Sequence, residues 1–167
     1  IQKCSKEDIE EFSNNLKEVV EKTKKCSVCG CFTDKDVCEI CEDSSRDHTL
    51  LVVGDTKDII VFEKTGQYYG RYHVLNGLIS PIEDINPEDL NLSTLINKRI
   101  TKEVEEIIIA INPCVEGEIT SLYIQKLLEN KNIKVTRLSY GIPVGTDIEY
   151  LDPIMITKAL DDRKFIS

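Results

Sequence analysis

The chain has 167 residues, of which 41% are apolar, and a net charge of −9 at neutral pH. That length is enough for one well-buried core and a small additional module. No segment approaches the roughly 20 apolar residues of a membrane-spanning helix, and residues 1–4 contain no apolar signal region. Strong sequence-independent binding to nucleic acid needs clustered Lys and Arg, which the sequence lacks. We therefore expect a cytoplasmic protein that binds DNA weakly on its own.

The N-terminal segment, residues 1–25, is interpreted as one amphipathic helix over residues 5–24. Ser5 and Asp8 have the spacing of a helix-capping pair. Apolar side chains recur on one face at helical spacing, namely Ile9, Phe12, Leu16, Val19 and Val20. Such a stripe normally packs against a neighbouring element, and we expect packing to be its role.

A cysteine-rich module with a polar linker occupies residues 26–48. Two C-x-x-C pairs, eight residues apart, contribute four thiols, those of Cys26, Cys29, Cys38 and Cys41. Each pair places two sulfurs on one side of a tight turn, and two such turns complete a tetrahedron around Zn²⁺. Seven cysteines in a cytosolic chain indicate metal binding more than disulfides. We therefore predict a structural zinc site with these four ligands, and redox-active pairs or buried free thiols are the alternative.

The remaining cysteines have less defined roles. Cys31 lies two residues after Cys29 and is able to compete with it for the metal, but its position outside both pairs favours a spare thiol. Cys4 and Cys114 have no partner within the module and are interpreted as ordinary small side chains.

From residue 49 to residue 139 the sequence alternates between apolar strands and helices. The predicted strands are 50–54, 72–75, 106–111 and 134–138. The predicted helices are 56–65, 92–102 and 118–129. This alternation is typical of an α/β fold with a parallel sheet covered by helices on both faces. The C-terminal segment, residues 140–167, contains a predicted turn over 141–145 and a short helix near 156–160.

The motif N-P-C-V-E-G-E at residues 112–118 follows the third predicted strand, at the edge of the sheet where α/β proteins place their chemistry. It resembles the Toprim domain of topoisomerases, primases and recombination proteins. In catalytic Toprim proteins, two aspartates at the positions of Asn112 and Cys114 hold Mg²⁺ together with an acidic residue that corresponds to Asp55. Asn112 is neutral and Cys114 is a poor Mg²⁺ ligand, so the resemblance implies a scaffold more than an enzyme.

Three carboxylates remain at this predicted edge, those of Asp55, Glu116 and Glu118. They have three interpretations. Acidic residues are favoured at helix starts by the helix dipole. They are also suited to form a recognition surface for a basic partner protein. The third interpretation is a metal-dependent nuclease or primase-like enzyme that uses all three carboxylates.

The order and spacing of several short motifs resemble the RecR family of bacterial recombination mediators from about residue 26 to residue 160. The shared motifs are C-S-V-C-G at 26–30, C-E-I-C-E-D at 38–43, Y-H-V-L at 72–75, S-P at 80–81, N-P at 112–113, E-G-E at 116–118 and G-I-P-V-G at 141–145.

This resemblance implies a zinc finger, a Toprim domain and a C-terminal arm that exchanges with a neighbouring subunit. It also implies homo-oligomeric rings, dimers or tetramers, that bind DNA and work with the proteins RecO and RecF. In that family the protein is not an enzyme, and it helps to load recombinase onto single-stranded or gapped DNA. By position, the resemblance assigns the binding of RecO to Glu116 and Glu118, with Asp55 at the same edge of the sheet.

One feature of the family is missing from this sequence. Its members begin with a helix-hairpin-helix element that contacts DNA and joins subunits, and no such element precedes the helix at 5–24. We therefore interpret residues 1–25 as its remnant, and we expect weak DNA binding and a dimer rather than a closed tetramer.

Overall fold

The N-terminal helix α1 spans Lys6–Lys22 and begins at a capping box. The Asp8 amide donates to Ser5 Oγ at 3.1 Å, and the Ser5 amide donates to Asp8 Oδ2 at 2.9 Å, as the sequence predicts. The apolar stripe, however, is solvent-exposed, at 65% for Phe12 and 80% for Val20. The packing that we expected for this stripe is absent from the part of the chain that the structure describes.

The structure is a computed structural model, and it describes residues 5–139, 141–142, 144–151 and 153–163. Cys4 and part of the predicted turn at 141–145 lie outside these residues. None of the described helices has the length and apolarity that crossing a membrane requires.

The cysteine-rich module contains short elements that the sequence did not predict. Strands β1 (Lys24–Lys25) and β2 (Phe32–Thr33) pair antiparallel on either side of the first C-x-x-C motif. Helix α2 (Glu39–Glu42) begins directly after Cys38. The two cysteine pairs therefore lie in a hairpin and at the start of a helical turn.

The remaining elements alternate as the sequence predicts. In chain order they are β3 (Thr49–Val53), α3 (Thr56–Thr65), β4 (Arg71–Val74), a 3-10 turn (Pro87–Asp89), α4 (Leu92–Thr94) with a π-helical turn (Leu95–Arg99), β5 (Glu106–Ala110), α5 (Val115–Leu128), β6 (Lys134–Arg137), a second 3-10 turn (Ile148–Tyr150) and α6 (Pro153–Asp161). Strands β3 to β6 form one parallel sheet in the order β4-β3-β5-β6. The predicted α/β fold is confirmed, and each strand lies within one residue of its predicted bounds.

Two helices differ from the prediction. Helix α5 begins at Val115, three residues before the predicted start, because the Cys114 side chain caps it by accepting from the Gly117 amide at 3.3 Å. The helix predicted over 92–102 ends at Arg99 in a π-helical turn. The Arg99 guanidinium donates to the Tyr72 carbonyl at 3.0 Å, and this bond fixes the end of the helix to β4.

The two faces of the sheet carry two separate apolar clusters, because successive side chains of a strand point to opposite faces. Leu50 and Val52 of β3 face a cluster that includes Ile124 and Leu128 of α5. Leu51 and Val53 face a second cluster that includes α3 and the buried cysteines. The cysteine module therefore covers part of a face that α/β proteins normally cover with helices.

His73 on β4 is a structural residue. This role agrees with the sequence, in which no cysteine or carboxylate lies at metal-ligand spacing from it. Its side chain is fully buried, and its Nε2 lies 2.7 Å from the Asn91 carbonyl oxygen. Burial lowers the pKa of His73 to about 4, so the imidazole is neutral at physiological pH and its Nε2–H donates this bond.

Candidate metal centre and acidic sheet edge

The cysteine module brings its sulfurs into one cluster. The Sγ atoms of Cys26, Cys29, Cys31 and Cys38 all lie within 4.8 Å of one another, and all four residues are buried. Those of Cys29 and Cys38 are 3.6 Å apart. Zn–S bonds of about 2.3 Å in a tetrahedron place sulfurs about 3.8 Å apart. The cluster therefore has the dimensions and the soft donor atoms that fit zinc.

Cys41, on helix α2, is only half-buried. It packs against the apolar cluster that contains the buried cysteines, but its sulfur is not among the four that lie within 4.8 Å of one another. The neighbouring thiols, Cys29 foremost, lower the pKa of Cys38. A hydrogen bond from Cys31 is the main cause that lowers the pKa of Cys29, to about 7. The proximity of Cys29 and Cys38 in turn raises the pKa of Cys31 and of Cys41. Zinc binds the thiolate form, so the cluster favours Cys29 and Cys38 as the first thiols to lose their protons.

Backbone hydrogen bonds attach the first cysteine pair to the sheet. The Val74 amide of β4 donates to the Cys29 carbonyl at 2.8 Å, and Asn76 Nδ2 donates to the Gly30 carbonyl at 3.1 Å. Gly30 has a φ of +82°, and a Cβ on it would lie 2.4 Å from Asn91 Nδ2. Only glycine fits this turn without a shift of its neighbours. A metal in the cluster would therefore be tied directly to β4.

The linker that follows the module is anchored by Arg46, a role that the sequence analysis missed. Its guanidinium donates to both carboxylate oxygens of Glu63 on α3, at 2.8 and 2.7 Å. Tyr72 Oη donates to the same carboxylate at 2.7 Å. The hydrogen bond from Arg46 is the main cause that lowers the pKa of Glu63. A single arginine within an acidic linker was the available signal, but its partner lies 17 residues away.

The acidic edge forms where β3 and β5 end side by side. Val53 pairs with Ala110 in the parallel ladder, and Asp55 and Asn112 each follow by two residues. The sheet therefore brings the predicted positions to one edge, as expected for the carboxyl ends of neighbouring parallel strands.

Asp55 acts here as a helix cap. Its Oδ1 accepts from the Lys57 amide at 3.0 Å, and the Asp55 amide donates to Asp58 Oδ2 at 3.0 Å in a reciprocal capping box. Of the three interpretations of the acidic residues, the helix-start role is the one that this contact supports for Asp55.

Glu116 and Glu118 both lie in the first turn of α5, but their surroundings differ. Glu118 pairs with Arg137 at 3.1 Å and with Lys158 of α6 at 3.2 Å. Glu116 is half-buried and forms no ion pair with any other residue that the structure describes. Glu116 is therefore the carboxylate of this turn best placed to receive a cation from another molecule.

The edge does not reproduce the Mg²⁺ site of catalytic Toprim domains. Asn112 and Cys114 stand where two aspartates would be, and the Cys114 sulfur is engaged in capping α5. Within the described parts of the chain, no three carboxylates lie close enough together to hold an ion. Mg²⁺ prefers near-octahedral oxygen coordination, which these side chains do not offer.

An apolar groove of about 1310 Å³ adjoins the acidic turn. Residues from α3, α5 and α6 line it, and Glu116 and Glu118 are among the lining residues. Its apolar lining includes Val61, Phe62, Ile119, Leu122 and Met155. This groove could not be predicted from the sequence, because three helices that are distant along the chain form it.

Three family models match this chain between residues 23 and 164. The Toprim domain model matches residues 48–139. The model described as "RecR, Cys4-zinc finger domain" matches residues 23–43, and the model described as "RecR, C-terminal" matches residues 141–164. The chain therefore carries a zinc finger of the four-cysteine type, and the thiol cluster fits that metal.

Individual proteins are similar over almost the whole chain. Recombination protein RecR of Streptococcus uberis is 47% identical over 160 residues, which cover 95% of this chain and 81% of the relative. The proteins of the same name from Streptococcus sanguinis and Streptococcus pyogenes are each 46% identical over the same shares.

Gly117 gives a direct test of how the acidic turn is built. A Cβ on Gly117 would lie 2.0 Å from the Asn112 carbonyl oxygen, so Gly117→Ala must displace the turn. We expect a loss of about 3 kcal/mol in the free energy of unfolding, measured by chemical denaturation. Gly141→Ala is the matched control, since its Cβ meets nothing within 4 Å. Equal stability of the two variants would contradict the close approach of α5 to residue 112.

Proposed function

Since the chain belongs to the RecR family of recombination proteins, we propose that it is a recombination mediator in DNA repair. In this role it is a cytoplasmic scaffold that assists RecO and RecF in loading recombinase onto single-stranded or gapped DNA. The observation that carries the proposal is a Toprim edge that lacks two of its three metal-binding carboxylates but has an acidic turn beside an apolar groove.

The zinc ligands that we propose are the four cysteines of the two C-x-x-C pairs, namely Cys26, Cys29, Cys38 and Cys41. Zinc in a closed four-thiolate site has a structural role. Cys29 is also hydrogen-bonded to β4 through its carbonyl. The site would thus hold the zinc finger against the sheet and keep residues 42–48 at its surface.

The chemistry of the edge supports a non-enzymatic role. Phosphoryl transfer by a Toprim domain needs Mg²⁺ to stabilise the charge on the transferred group. Here Asp55 caps α3, Glu118 is paired with two cations, and Asn112 and Cys114 replace two carboxylates. These contacts support a scaffold over a nuclease or primase-like enzyme. Magnesium-dependent cleavage of DNA by the purified chain would contradict the proposal.

The acidic turn and the groove together suit a protein partner. Protein interfaces combine apolar contacts with polar and charged residues, and the lining of the groove contains both apolar side chains and the carboxylates of Glu116 and Glu118. Complementary charge adds specificity and speeds association. We assign this surface to RecO, with a basic residue of RecO expected against Glu116 and with Asp55 at the same edge of the sheet.

We propose that the chain forms a homo-oligomer, a dimer or a tetramer, and that it contacts DNA weakly by itself. The net charge of −9 opposes unaided DNA binding. The exposed apolar stripe of α1, together with a C-terminal arm that exchanges with a neighbour, would supply the contacts between subunits. Sedimentation velocity of the purified chain tests this assembly, and a monomer at all concentrations would contradict it.

The RecO surface is tested by the affinity of purified RecO for single variants. Glu116→Gln keeps the shape and helical preference of the side chain but removes its charge. We expect it to weaken RecO binding about tenfold, because an interfacial charge pair is lost, as measured by titration calorimetry. Raising the ionic strength should reduce the difference between wild type and variant, because salt screens exposed charge pairs.

Glu129→Gln is the matched control, since Glu129 is an exposed residue at the opposite end of α5. It should bind RecO as the wild type does. Glu118→Gln should weaken binding as well, but it also removes the pairs with Arg137 and Lys158, so its thermal stability must be measured alongside. Wild-type affinity in Glu116→Gln and Glu118→Gln would place the RecO interface elsewhere.

A further inference from the structure

Cys31 has no assigned role, yet it lies inside the metal centre. Its side chain is only 5% exposed, and its Sγ is within 4.8 Å of those of Cys26, Cys29 and Cys38. In the sequence this cysteine belongs to neither C-x-x-C pair and has the position of a spare thiol. The hairpin of β1 and β2 changes that interpretation, because the Cys26 amide donates to the Cys31 carbonyl at 2.7 Å and holds Cys31 beside the first pair.

The cluster therefore offers five sulfurs to a metal that takes four. Cys26, Cys29 and Cys38 are deeply buried and belong to the set of mutually close sulfurs. Cys31 belongs to that set as well, whereas Cys41 packs against the cluster without being part of the set. Cys31 comes from the hairpin, whereas Cys41 comes from α2, where its amide donates to the Cys38 carbonyl at 3.0 Å. Two thiols on separate elements thus compete for the fourth position.

We propose that Cys31 and Cys41 are interchangeable as the fourth zinc ligand, with Cys26, Cys29 and Cys38 as the constant three. Cys31 is the more deeply buried of the two and lies within the mutually close set, while Cys41 completes the second C-x-x-C pair. Either thiol closes a four-sulfur tetrahedron. The centre then keeps its zinc when one of the two thiols is lost, and a neighbouring thiol is available for ligand exchange.

This inference rests on the zinc ligands proposed above and is independent of the RecO surface. The zinc content of the purified wild-type chain distinguishes a failure of the proposed zinc centre from a failure of the proposed exchange of its fourth ligand. One zinc per chain supports the centre itself, whereas a wild-type chain that folds without zinc and binds none would overturn both the centre and the exchange of its ligands.

The test uses the full chain with Cys31→Ser, Cys41→Ser and the double variant. Zinc content is measured by mass spectrometry of the metal, and the number of coordinating thiolates by the charge-transfer and ligand-field bands of the Co²⁺-substituted protein. We expect each single variant to hold one metal with a four-thiolate spectrum. The double variant should show a three-thiolate spectrum and weaker zinc retention against a chelator, by more than about tenfold.

Two further variants calibrate the spectra. Cys114→Ser removes a cysteine outside the cluster and should leave the metal content and the Co²⁺ spectrum as in the wild type. Cys38→Ser removes one of the three constant ligands and should lose the four-thiolate spectrum, although both Cys31 and Cys41 remain.

The remaining outcomes contradict the exchange. A three-thiolate spectrum in Cys41→Ser with an unchanged Cys31→Ser would make Cys31 a spare thiol. The reverse pattern would make Cys31 the sole fourth ligand. Failure of Cys41→Ser to fold in the presence of zinc would also overturn the proposal, because Cys31 is then unable to replace the missing thiol.

Discussion

The packing of the cysteine cluster against one face of the parallel sheet determines how the parts of this chain fit together. Leu51 and Val53 of β3 lie in the same apolar cluster as the buried cysteines, and the Val74 amide of β4 is satisfied by the Cys29 carbonyl. A module too short to build its own core thereby shares the core of its neighbour. Zinc would fix the sulfurs in the one arrangement that completes this packing.

The same sheet is the basis of the proposed role of this Toprim domain as a scaffold. Parallel pairing of β3 with β5 brings Asp55 and residue 112 to one edge whatever side chains they carry. Here the carboxylates at that edge cap helices or pair with cations, as Asp55 and Glu118 do, while Glu116 borders an apolar groove. The architecture is retained, and these contacts support the proposed binding of a protein instead of a phosphoryl group.

The strands could be predicted from the sequence, because their positions depend on the local pattern of apolar residues. Apolar runs located β3 and β5, because such runs are typical of strands buried on both faces, and all four predicted strands lie within one residue of the observed bounds. The sequence could not show contacts made by the folded chain. The hairpin that carries Cys31 into the cluster and the pairing of Arg46 with Glu63 both join residues whose proximity depends on the tertiary fold. The early start of α5 was missed because cysteine is an unusual helix cap.

Amide hydrogen exchange at Val74, with and without zinc, tests the central role of the cluster most directly. The Val74 amide reports the contact between the zinc finger and β4, whereas the Ile108 amide lies in the central strand β5. If zinc holds the finger on the sheet, removing it should speed exchange at Val74 while Ile108 stays protected. Unchanged protection at Val74 after complete removal of zinc would contradict the account.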